Sequence, residues 1–245
     1  FDKIIIDGAQ DIFFREKYMK VIDSLVYNGI KNGKLELYSD FTKYNFFGEI
    51  IDKEKVIEIL GGRDNLTTYN LTVNCRNSRS ISGEISKLFK FKKPETMSDN
   101  LDDSPVEYKY YKGKQDGVKL LEDILINFYK QAIPLQNVTI LSAYQSPHKL
   151  QNSLIYSIDK NKFNITDLSK NDTLFFEKYG ITFCSIYKFK GMENSYIIII
   201  DIDSNIDNDR FEDLLYNGMS RAKVNLKLLA DDNIKNKIVS LRENK

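Results

Sequence analysis

The sequence predicts an α/β fold with a mainly parallel sheet and helices on both faces, and three observations carry that expectation. Short β-rich runs alternate with helix-like stretches along the 245 residues. The run "YIIIID" at 196–201 is apolar without interruption, as befits a central parallel strand covered on both sides. The opening "FDKIIID" is an apolar run ending in Asp7, which delivers a carboxylate to the carboxyl edge of a sheet, where open α/β folds keep their ligand chemistry.

In chain order, strands are expected at "KIIID" (3–7), "KLELYS" (34–39), "TTYNLT" (67–72), "VEYKYY" (106–111), "VTILS" (138–142), "ITFCSI" (181–186), "YIIIID" (196–201) and "LKLLA" (226–230). Each is short and enriched in β-branched, aromatic or leucine side chains. Helices are expected between them, at 13–29, 78–91, 115–132, 146–158 and 210–222. In 115–132, Val118, Leu121, Ile124, Leu125 and Phe128 recur at helical spacing and mark one buried face. "GGRDN" (61–65) reads as a turn cluster, and "KKPETMSDNLDDSP" (92–105), polar and bracketed by prolines, as a loop. No internal repeat is visible.

Apolar residues make up 42% of the chain, enough for a sizeable core, yet no run approaches the length of a membrane span. The opening residues lack the basic region, apolar stretch and small-residue cleavage site of a secretory leader. Cys75 and Cys184 lie far apart and suit reduced thiols in a cytoplasmic setting better than a disulfide framework. A formal net charge of +1 excludes binding driven by global charge, so nucleic-acid binding would need a local basic stripe.

"IIIDGAQD" alone is a weak signal, because a strand-end aspartate can equally cap a helix. Its weight comes from the ordered series of runs downstream: "NGKLELYSDFTKYNFF", "LTVNCRNSRSI", "ITFCSIYKFKGMENSYIIIIDID" and "LLYNGMSRAKVNLKLL". Together these resemble the successive motifs, from the second to the sixth, of superfamily 1 DNA helicases of the UvrD/Rep group. The closest likeness is to the compact helicases linked to nuclease-related domains. The resemblance implies a RecA-like fold of the P-loop NTPase type. Residues 1–62 would be the C-terminal part of a first lobe, and 63–245 a complete second lobe. It also implies a hydrolase that uses ATP and Mg²⁺ to move on single-stranded or duplex DNA, with upstream first-lobe sequence or a partner subunit completing the assembly and no membrane involved.

The resemblance assigns roles residue by residue. Asp7 would hold Mg²⁺, and Gln10 would lie close to the nucleotide. Arg76 of "NCRN" and Arg221 of "MSRAK" would reach the γ-phosphate from the second lobe, a task suited to a planar guanidinium that binds oxygens in pairs. Gly191, Glu193 and Tyr216 match nucleotide-facing positions. Ser185, Tyr187, Lys188 and Lys190 match the stretch that contacts nucleic acid. For each arginine the alternative is a structural ion pair, and for Tyr187 a core aromatic.

Three departures from the pattern point against catalysis by this chain alone. Gly8 occupies the position of the glutamate that orients the attacking water. Neither Lys43 nor Tyr44 replaces the glutamine that senses the γ-phosphate. No G-x-x-x-x-G-K-[ST] loop occurs in the sequence. A second reading is therefore a degenerate, non-hydrolysing module that binds nucleic acid or protein in a regulatory role, with a nuclease in bacterial defence as one such partner by analogy with the family.

One competing constellation remains. "DIDSNIDNDRFE" spaces Asp201, Asp203, Asn205, Asp207, Asp209 and Glu212 like a calcium loop, but Ile206 stands where the sharp turn needs glycine, and a strand leads in. His148, the one histidine, has no Cys or His neighbours with which to build a zinc site.

Overall fold

The computed structural model describes residues 1–13, 15–41, 53–61, 66–97, 103–170 and 180–243. The chain divides into two compact units, Phe1–Leu71 and Thr72–Lys245. Lys43, Tyr44 and most of the "GGRDN" turn lie outside the described residues.

In the first unit, β1 (Lys3–Asp7) leads through α1 (Gln10–Phe13), α2 (Glu16–Leu25) and α3 (Gly29–Asn32) to β2 (Lys34–Tyr38), followed by α4 (Lys53–Ile59). The helix expected at 13–29 is thus broken. Arg15 is extended, with φ −112° and ψ 102°, and Asn28 turns left-handed at φ 68°. The first break has no glycine or proline to announce it, whereas Gly29, at φ 71°, follows Asn28 at the second. β1 and β2 pair in parallel with Ile4 opposite Leu35 and Ile6 opposite Leu37. Those four side chains face Ala9, Phe13, Ile30, Val56 and Leu60 in one small core. Leu35 and Leu37, half-buried, pack against that core.

The second unit opens with β3 (Val73–Asn74), α5 (Arg79–Phe89) and β4 (Glu95–Thr96). Residues 67–72, expected as a strand, are irregular, and Tyr69 and Leu71 are exposed. Then come β5 (Glu107–Tyr111), α6 (Lys114–Lys130), β6 (Val138–Ser142), α7 (Pro147–Leu150), β7 (Ile165–Asp167), β8 (Ile181–Ser185), β9 (Asn194–Ile202), α8 (Asn208–Met219), β10 (Ala222–Asp231) and α9 (Lys235–Glu243). Six strands form one sheet in the order β5-β10-β9-β6-β8-β7, and every pairing in it is parallel. β6 and β8 are buried along their whole length, as sequence runs with little alternation require.

Helices cover both faces. Leu121, Ile124, Leu125 and Phe128 of α6 pack with Ile140, Phe183, Ile198 and Ile200 on one side. On the other, α8 lies so close to the sheet that a Cβ at Gly218 would come within 2.9 Å of the Ile199 and Ile186 side chains. Glycine is needed there for the approach. α5 and α9 share this second layer.

The contrast between a six-stranded sheet and a two-stranded one sets different stabilities, since two strands alone are marginal in water. Residues 72–245 expressed alone should unfold cooperatively on heating, and residues 1–71 alone should show no sharp transition. A cooperative melt of 1–71 by circular dichroism would contradict this.

Candidate functional site

Because β8 and β9 are both parallel members of the sheet, the chain between them must return from the carboxyl edge to the amino edge. Residues 186–193 make that passage, so Ser185 and Glu193 lie at opposite edges. The candidate residues of the second unit accordingly divide into two groups.

At the amino ends of β9 and β10, two sequence motifs meet at one amide. Asn77, buried, donates through Nδ2 to the carbonyls of Ser220 (3.2 Å) and Ala222 (2.6 Å). Its Oδ1 accepts from Asn74 Nδ2 at 2.9 Å. The Asn74 Oδ1 in turn accepts from the backbone N–H groups of Arg76 (2.9 Å) and Asn77 (3.0 Å). Ser78 N–H donates to Lys223 O at 2.8 Å, and the Ser78 hydroxyl caps α5. The "NCRN" turn is thereby fastened to the "MSRAK" turn.

From this base Arg76 reaches Glu193, Nε to Oε2 at 2.6 Å, and Lys223 reaches the other oxygen of the same carboxylate at 2.6 Å. Hydrogen bonding from Lys223, reinforced by Arg76, holds the Glu193 carboxyl below its usual range. Arg221 sits one residue before β10, and its Nε donates to Asn217 O at 3.0 Å. Gly191 takes φ +84° in the loop just before Glu193. The Tyr216 ring lies edge-on to Phe89 (5.5 Å between centroids) and Phe91 (5.6 Å). Asn77 and Lys223 were not singled out from the sequence, although both stand inside the quoted motifs.

At the carboxyl edge, Ser185 is buried at the end of β8, and its hydroxyl accepts from Lys188 N–H at 3.2 Å. Lys188 Nζ is held by Leu168 O at 2.6 Å. Tyr187 is 43% exposed, so it is not a core aromatic. Lys190 lies in the same turn, half-buried.

The same edge holds a buried acid. Asp201 accepts from the Ser142 hydroxyl, the Ser153 hydroxyl (2.6 Å) and Leu154 N–H (2.9 Å), with its own backbone at φ +62°. Burial raises its pKa against the pull of these donors. Asp203 accepts from the Tyr144 hydroxyl. The spacing that suggested a calcium loop is therefore spent on internal bonds: Asp201 turns into the sheet. Among the described residues no group of three Asp, Glu, His or Cys side chains is placed to hold a metal. Beside Asp203 a cleft of about 130 Å³ is lined by Tyr144, Gln145, Lys149, Asn205, Asp207 and Arg210.

The remaining candidates belong to the first unit. Asp7 is exposed at the carboxyl end of β1. Gly8 adopts φ +71°, and a Cβ there would have room, its nearest contact being Asp11 Oδ2 at 3.8 Å. The constraint on residue 8 is thus backbone conformation and not space. Gln10 Oε1 accepts from Asp40 N–H at 3.1 Å, and Ala9 N–H donates to Tyr38 O at 2.9 Å, so the turn after β1 is tied to the end of β2.

No family model matches the chain, and no curated protein matches its sequence. Solved structures do share the fold. Dbp5 of S. cerevisiae, bound to RNA and ADP BeF3, is similar over 100% of this chain with a TM-score of 0.57 and 11% identity. A Dbp5 variant from the same organism, bound to a Gle1 variant and IP6, is similar over 99% of the chain with a TM-score of 0.50 and 10% identity. The C-terminal domain of a possible DNA helicase from Lactobacillus plantarum gives a TM-score of 0.48 at 16% identity, over 69% of this chain and 95% of that one. The chain spans 58% and 56% of the two Dbp5 structures. The fold is RecA-like, of the kind helicases use. Among the described residues no helix is long and apolar enough to cross a membrane.

Proposed function

We propose that the chain is the C-terminal portion of a superfamily 1 type DNA helicase or translocase. In this reading its second unit supplies Arg76 and Arg221 to an ATP–Mg²⁺ held largely by other sequence. The observation that supports it best is the joining of three segments at one sheet edge, "NCRN" to "MSRAK" through Asn77 and both to Glu193 through Arg76 and Lys223. Arginines on a braced turn meet the need of phosphoryl transfer for positive charge placed in advance. Asp7 would contribute to the metal and Gln10 to the nucleotide. Tyr187 is the candidate for stacking on single-stranded DNA, and Lys188 and Lys190 are the candidates for pairing with its phosphates.

A second reading, a non-hydrolysing binding module, is favoured by Gly8. Its φ of +71° means that a glutamate restored there would meet a conformation that L-residues adopt at a cost. The turn is shaped around glycine.

The chain alone should show no ATP turnover above background, with or without single-stranded DNA, and its DNA binding should weaken steeply as salt rises. Magnesium-dependent turnover that disappears on Asp7→Ala would overturn the expected inactivity. DNA affinity indifferent to salt would remove the electrostatic basis for the nucleic-acid assignment.

A further inference from the structure

We propose that Lys223 is a phosphate-binding residue of the amino-edge site. We further propose that Glu193 is its built-in counter-ion, occupying between Arg76 and Lys223 the place that a phosphoryl group takes when a polyphosphate arrives. The proposal rests on the nucleotide-site reading above and gives that site a regulation.

The geometry is that of an anion receptor already filled. One carboxylate divides its two oxygens between two cations of different type, each at 2.6 Å. A phosphoryl group presents the same pair of oxygens with more charge, and guanidinium and ammonium groups accept it through the same charge-assisted bonds. The supports of the two cations are rigid. Arg76 N–H is anchored to Asn74, Lys223 O receives Ser78 N–H, and Asn77 locks both turns together. The charged ends, in contrast, stand at the surface: the side chains of Arg76, Lys223 and Glu193 are 43%, 40% and 37% exposed. A solvated anion can therefore reach them without unfolding anything. Exposed ion pairs are weak, so a multiply charged phosphate chain can displace the carboxylate where a monoanion would not. Glu193 can swing aside, because its own side chain and the neighbouring Gly191 are exposed.

Inorganic tripolyphosphate titrated calorimetrically into the full chain is the first test. Glu193→Gln should bind it about fivefold more tightly than the parent, and Lys223→Ala about fivefold more weakly, the size expected for gaining or losing one or two exposed pairs. In a protein labelled at arginine nitrogens, the Arg76 Nε–H signal, assigned through Arg76→Lys, should move on Glu193→Gln. It should move again when the parent is saturated with tripolyphosphate. Equal affinity of Glu193→Gln and the parent, no binding by either, or an Arg76 signal indifferent to the anion would each overturn the proposal. Two further titrations separate it from the reading on which it rests. Tripolyphosphate binding that depends on Lys223 while ATP fails to bind would uphold the anion site and remove the nucleotide. An oligothymidylate whose affinity rises on Glu193→Gln as much as that of tripolyphosphate would assign the site to nucleic-acid phosphates and overturn the nucleotide source.

Discussion

Replacing Asp201 with alanine is expected to destabilise the second unit by about 2–4 kcal/mol, the cost of leaving several buried hydrogen-bond donors without their common acceptor. The carboxylate is the shared acceptor of two serine hydroxyls and one backbone N–H in a fully enclosed position. Alanine would leave Leu154 N–H buried without an acceptor, and it would also have to hold φ +62°, which costs a residue with a bare Cβ about 1–2 kcal/mol. Asparagine keeps an acceptor oxygen and tolerates the left-handed conformation, so Asp201→Asn should lose clearly less. The direction of the pKa shift agrees: a carboxyl whose folded pKa is raised favours the folded state more when protonated, and a neutral amide imitates that form. Urea unfolding of the three proteins checks this. An alanine variant within about 1 kcal/mol of the parent would mean that Asp201 does not hold the carboxyl edge together.

The second large effect is expected at Asn77. Asn77→Ala should cost about 2–4 kcal/mol, because it orphans the buried carbonyls of Ser220 and Ala222 and frees the "NCRN" turn. Asn77→Asp should be worse at neutral pH although it changes a single atom. A carboxylate would face two carbonyl acceptors in a buried place, with no proton to offer either. Its folded pKa would rise above the unfolded value, so the aspartate variant should recover stability as the pH falls through that folded value, while the alanine variant should not. Thermal unfolding between neutral and mildly acid pH distinguishes the two. Equal stability of the aspartate variant and the parent at neutral pH would show that Asn77 does not couple the two turns.

These two residues also mark where sequence reading reached its limit. Asp201 drew attention through its spacing with Asp203 and Asp207, which is a property of a line of residues. Its actual partners, Ser142 and Ser153, are 59 and 48 residues away and become neighbours only because β6 and β9 are adjacent. The same bonds explain why the helix expected at 146–158 stops short. Ser153 and Leu154 turn inward to reach Asp201, leaving a four-residue helix and a 3₁₀ turn. Local periodicity cannot anticipate a tertiary hydrogen bond of that kind.

What the sequence by itself determined is the class of fold and most of the sheet. The strands at 3–7, 34–39, 106–111, 138–142, 181–186, 196–201 and 226–230 all recur with small changes at their ends, as does the helix at 115–132. Hydrophobic burial is additive along a strand or helix face, so a run such as "YIIIID" can be read without knowing its neighbours. The helix Lys235–Glu243 and the strand Ile165–Asp167 escaped that reading, the first because its apolar face is narrow and the second because it spans three residues. Only the tertiary structure decided which carboxylate Arg76 meets, that Lys223 shares it, and that Ser185 and Glu193 lie at opposite edges of one sheet. Those outcomes depend on strand order and on side chains up to 145 residues apart, and directional bonds of that range become defined only when the sheet has closed.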